Sequence, residues 1–182
     1  MGGLRCVDGS FLTVTPVACT DSVGMPYEIT LELSRDGTPY GTVGERCGWL
    51  LRRLAHGVDE ARAGRGEAAR WPDPDDRFPE EEPDSELFAF RYRTRSALVG
   101  GGELRCCLRT IPLWVPGRDR PGRWRLTRRA IVEAWGVEGV GMRAVLTSAE
   151  LARFVHTLVD EADGCLGGPG KSHEGADTRE TR

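Results

Sequence analysis

Arginine and tryptophan crowd one stretch of this chain. Arg105, Arg109, Arg118, Arg120, Arg123, Arg125, Arg128 and Arg129 fall within residues 105–129, opposed inside it only by Asp119, with Trp114 and Trp124 between them. A guanidinium is a planar fork of donors that fits carboxylate and phosphate oxygens. An indole supplies a flat apolar face that stacks on a base or fills a pocket. Three occupants satisfy that chemistry: a nucleic acid, an acidic protein surface, or this chain's own acidic run at Asp73, Asp75, Asp76, Glu80, Glu81, Glu82, Asp84 and Glu86. A formal net charge of −3 gives no general attraction to nucleic acid, which disfavours that partner. The expected partner is another protein, with Arg105, Arg109, Trp114, Arg118, Arg120, Arg123, Trp124 and Arg125 as the contact residues. A nucleic-acid-binding protein using the same segment is a further alternative.

Residues suited to catalysis are scattered. His56 and His156 each stand alone, and His173 lies near the C-terminal end. The six cysteines, Cys6, Cys19, Cys47, Cys106, Cys107 and Cys165, contain no Cys-x-x-Cys and do not space with the histidines as a zinc site requires. Cys106 and Cys107 are adjacent in an extended run, where neighbours point to opposite faces. Residues 165–172, Cys-Leu-Gly-Gly-Pro-Gly-Lys-Ser, approach a phosphate-binding loop but have cysteine where the first glycine belongs. They follow a helix instead of a strand, so the amides have no reason to converge on a phosphate. No metal, cofactor or catalytic set is expected. The alternative function is a small-molecule enzyme whose site is assembled across elements from His56, Cys106, Glu133 and His156.

The elements that must position these residues follow from periodicity. Residues 142–146 alternate as a half-buried strand, and Thr147-Ser-Ala-Glu150 then forms a capping box. Leu151, Phe154, Val155, Leu158, Val159 and Ala162 make one helical stripe over 147–162, with Gly164 as its expected stop. A second unit resembles it: Tyr27, Ile29, Leu31 and Leu33 alternate, Asp36-Gly37 turns, and Thr42-Val-Gly-Glu45 reads as another capping box for a helix over 42–63. Both helices carry a late histidine and end near Val-Asp-Glu-Ala. Internal duplication is one explanation; chance similarity between amphipathic helices is the other. Residues 87–93 and 103–111 read as a hairpin around Gly100-Gly101-Gly102, and 112–122 as a second loop. Residues 126–135 read either as a helix capped by Thr127 or as a strand hairpinned to 140–146, and the intervening glycines favour the hairpin.

Length and composition bound the rest. At 182 residues the chain fits one domain with tails. Residues 1–20 read as an irregular lead-in with a short strand at Phe11–Thr15, 21–164 as a single α+β domain, 64–84 as an acidic, proline-broken loop, and 165–182 as a disordered tail. Of the 25 basic residues only Lys171 is lysine, a skew in keeping with a high-GC coding bias. No apolar run reaches the ~20 residues of a membrane span, so a cytoplasmic protein with reduced thiols is expected. The predicted architecture is an antiparallel sheet of about five to six strands with the helices 42–63 and 147–162 on one face. Small immunity-type or regulatory binding proteins have such layouts, but that is an analogy of fold and carries no function by itself.

Overall fold

In the computed structural model, the residues described are 2–44, 47–63, 85–91, 102–118, 121–136 and 141–167. They fold in the order β1 (Gly2–Arg5), β2 (Phe11–Thr20), β3 (Pro26–Arg35), β4 (Thr38–Val43), α1 (Cys47–Arg62), β5 (Ser85–Arg91), β6 (Glu103–Val115), β7 (Arg123–Trp135), β8 (Gly141–Leu146) and α2 (Ser148–Cys165). The class is α+β, as the periodicity predicts. The sheet count is not. Instead of one sheet of five to six strands there are two antiparallel meanders of four, β1-β2-β3-β4 and β5-β6-β7-β8. Each is followed by a helix, so the element order ββββα occurs twice.

The additional strands come mainly from residues 1–20, which are not an irregular lead-in: the strand expected at Phe11–Thr15 runs on to Thr20 as β2, and β1 precedes it. Two glycines conceal β1 in the sequence. A Cβ on Gly2 would strike the Leu158 and Phe154 side chains of α2, and one on Gly3 would strike the Phe11 ring. The strand is therefore specified by close approach and not by an alternating pattern. Pro16 sits inside β2, but β1 reaches along β2 only to Val14, so the missing N–H falls where β2 has no partner on that side.

The turn at Asp36-Gly37 is as predicted. It joins Arg35 to its cross-strand partner Thr38, with positive φ at both residues (50° and 81°), which is the conformation that matches strand twist in a two-residue hairpin. The expected capping box at Thr42 is not present. Thr42 belongs to β4, opposite Glu32, and its carbonyl accepts from the Gly102 N–H at 3.0 Å. Sheet pairing outweighs the local cap, and α1 starts at Cys47. The box at Thr147 does form: its hydroxyl oxygen accepts from the Glu150 N–H, and the Glu150 carboxylate accepts from the Thr147 N–H at 2.8 Å. The helix passes through Gly164 to Cys165, and the left-handed residue is Gly167, with φ 70°.

Residues 126–135 are strand, within β7, and β6 extends to Val115 through part of the stretch read as a loop. The acidic loop 64–84 and residues 168–182, with most of the phosphate-loop look-alike, lie outside the described residues.

One core unites both halves. Leu12, Val14, Ile29, Leu31 and Leu33 from the first sheet meet Leu104, Cys106, Val132, Met142 and Ala144 from the second, with Leu51 and Val58 of α1 and Leu151, Val155 and Leu158 of α2. Among the described residues, hydrogen bonds stitch the two halves at the margins of the sheets: Gly102 N–H to Thr42 carbonyl, Val7 N–H to Arg143 carbonyl at 2.8 Å, and Tyr40 hydroxyl to Ala134 carbonyl at 3.4 Å. The seam depends on Gly41 and Gly136, whose backbones nearly touch: a Cβ on Gly136 would lie 2.1 Å from the Tyr40 carbonyl oxygen.

Candidate functional site: the β6–β7 hairpin

Strands β6 and β7 pair along their whole length, from Glu103↔Trp135 to Val115↔Arg123. Their neighbours are shorter. Strand β5 pairs with β6 only as far as Leu108, and β8 with β7 only from Ala130. Beyond those points no described strand pairs with the hairpin, and Pro112 falls in β6 where no described strand needs its N–H.

Strand alternation sorts the candidate residues onto two faces of the ribbon. Arg105, Arg109, Arg123, Arg125, Arg129 and Glu133 share one face. Trp114 and Trp124, directly opposite each other in the register, share the other with Arg128. The two indoles meet edge to face with centroids 5.4 Å apart, and they are 49% and 67% exposed. Gly122 lies under the Trp114 ring, where an added Cβ would come within 2.4 Å of it.

The arginines do not form one uniform stripe. Arg129 is buried and donates to the Thr127 hydroxyl at 2.7 Å and the Arg128 carbonyl at 3.0 Å. Arg105 is also engaged. Its guanidinium lies 4.5 Å from the centre of the Trp135 ring and donates to Glu133 Oε2, with Nε at 2.9 Å and an Nη at 2.8 Å. Toward the tip the pattern changes. Arg118 and Arg123 are exposed, Arg125 is half-buried, and none of the three makes an ion pair with a described residue. Together with Val115, Pro116, Gly117 and Pro121 they line a cavity of about 360 Å³. Arg120 lies outside the described residues.

Glu133 is the centre of a second arrangement, on the sheet proper. It is 2% exposed, on the side of β7 away from the core, and Arg143 of β8 grips Oε1 from the other side with Nε at 2.9 Å and an Nη at 2.6 Å. Burial alone would raise the carboxyl. The hydrogen bonds and charges of Arg105 and Arg143 outweigh it and hold the group below the ordinary carboxylate range. The arrangement unites Arg105, a predicted contact residue, with Glu133, a predicted catalytic one, and adds Arg143, which sequence reasoning missed. The available signal was the hairpin register, which sets 105 opposite 133 and 133 opposite 143. A carboxylate saturated by two guanidinium forks is a cross-strand clamp and poorly placed to take a proton from a substrate.

The other enzyme candidates are not brought to Glu133. Cys106, its near neighbour in the sheet, lies fully buried on the opposite, core face, and burial first, then the charges of Cys107 and Glu133, push its thiol far up. His56 pairs within α1 with Glu60 at 3.5 Å, and His156 of α2 pairs with Asp59 of α1 at 2.9 Å. All six cysteines are free thiols. No cluster of three or more metal-ligating side chains occurs among the described residues, and no described helix is long and apolar enough to cross a membrane. Compared with protein-family models, with curated proteins and with solved structures, the chain matches none of them.

Proposed function

We propose that this protein acts by binding another protein through the free end of the β6–β7 hairpin, and that it is not an enzyme. The observation that carries this reading is the Trp114–Trp124 pair: two large rings, packed edge to face and about half to two-thirds exposed, on a stretch of the hairpin with which no other described strand pairs. Exposed tryptophans are costly in water and are the residue type most often found at the energetic centre of protein interfaces. Trp114, Trp124, Arg118, Arg123 and Arg125 form the contact set, while Arg105 is assigned to the Glu133 clamp. A cytoplasmic location belongs to the same proposal, supported by the free thiols.

The test is capture of partners by wild-type protein and by the Trp124→Ala variant, with identification by mass spectrometry. Trp124 is the cleaner choice because Trp114 also covers Gly122. A partner that is retained by the wild type and lost by a normally melting Trp124→Ala variant supports the reading. Tight binding of random-sequence DNA at about 0.15 M salt, weakening steeply as salt rises, would replace it with the nucleic-acid alternative.

A further inference from the structure

The cavity beside the ribbon tip has a chemistry separate from that of the tryptophans. Register places Arg123 and Arg125 on the face opposite Trp114 and Trp124, so the two features look in different directions. Among the described residues that line the cavity, Arg118, Arg123 and Arg125 supply three guanidinium groups beside Val115, Pro116, Gly117 and Pro121, and none is a carboxylate. The Nε of Arg125 is shut off from water with no hydrogen-bond partner. A charged donor in that state is unfavourable until an acceptor reaches it.

Three cations around about 360 Å³ call for at least two negative charges. The walls narrow the choice further. Val115, Pro116 and Pro121 present apolar surface beside the guanidiniums, which suits the methylenes of glutamate side chains better than a bare inorganic ion. We propose that this cavity is a receptor for adjacent carboxylates of an acidic peptide segment in a partner protein. The segment's side chains enter between Arg118, Arg123 and Arg125 while its neighbours run over the tip. This rests on the reading of the hairpin as a protein-binding element and specifies what the partner carries on one of its two faces.

Binding of a fluorescein-labelled hexaglutamate peptide to the full chain, followed by anisotropy, tests it. The expected result is saturable binding by the wild type, weakened at least about fivefold in R123Q/R125Q and little changed in Trp124→Ala. Absence of peptide binding, or binding unaffected by R123Q/R125Q in a variant that melts normally, would overturn the proposal. So would inorganic phosphate displacing the peptide at equal charge concentration, which would make the cavity a general anion site. A further arm replaces Glu80, Glu81, Glu82 and Asp84 by their amides. Peptide binding that appears only in that variant would assign the cavity to the chain's own acidic run and refute an intermolecular role. Partner capture lost in Trp124→Ala but intact in R123Q/R125Q would refute the cavity proposal while leaving the hairpin reading in place.

Discussion

His156 on α2 stands with its Nε2 2.9 Å from Oδ1 of Asp59 on α1, linking the helix of one half of the chain to the helix of the other. Arg52 and Asp163 make a second link between the same helices. Both partners of the His156–Asp59 pair are about half exposed, so its contribution is small. His156→Ala is expected to lower stability by less than about 1 kcal/mol and to leave partner capture intact. A chemical-denaturation midpoint that collapses, or a lost partner, would return His156 to the functional candidates.

Glu133 is expected to behave differently. Glu133→Gln leaves two guanidinium groups without their shared counter-charge, yet both are partly solvated, so a loss of about 2 kcal/mol is expected from urea unfolding. The sign of the pH dependence follows from the lowered carboxyl. The clamp contributes fully above the unfolded-state value of about 4.3, and the contribution disappears as pH falls through the lower folded-state value. Wild type should therefore lose stability below about pH 4 more steeply than Glu133→Gln. Parallel profiles for the two would refute the clamp.

Two glycines offer a matched comparison. An added methyl at Gly136 meets the Tyr40 carbonyl oxygen at 2.1 Å, whereas one at Gly57 in α1 meets nothing within 4 Å. Gly136→Ala should cost at least about 1–3 kcal/mol because backbone must move to accommodate it. Gly57→Ala should stabilise by up to about 1 kcal/mol through helix propensity. Thermal melts of the two variants are expected to shift in opposite directions.

The thiols divide by environment. Cys47 is buried, and burial first, then the charges of Glu28 and Cys19, push it up to about 12, while Cys106 lies in the core with its thiol raised further. Neither should react with a thiol reagent at pH 7–8 until the chain unfolds, because the thiolate is the reactive form. Mass mapping after brief labelling, with and without denaturant, checks this. Rapid modification of Cys106 in the native protein would revive it as a catalytic candidate.

Where one force acted along a short stretch, the fold could be read directly. The Thr147 cap, the Leu151–Leu158 stripe and the Asp36-Gly37 turn depend on neighbours within a few residues, and all three are present. The failures arise where distant backbone decides. Thr42 had the sequence of a cap but was drawn into β4 by pairing with Glu32 and Gly102. Strand β1 depended on the room that Gly2 leaves for Leu158 and Phe154. The arginine stretch was visible as composition, but its division between Glu133, Thr127 and the tip cavity follows from strand register, which composition does not encode.

Among the described residues, every strand in both sheets bonds only to strands adjacent to it in the chain. That arrangement has a kinetic consequence. Each meander assembles by closing short hairpins, which keeps contact order low within a half, and the large entropy of joining remote segments arises mainly when the second half docks on the first. The stitches at Val7, Tyr40 and Gly102 then form late and release early. In native-state hydrogen exchange, the Val7 and Gly102 amides should open well before those of Leu31 and Val132, so the seam would yield while both sheets still hold.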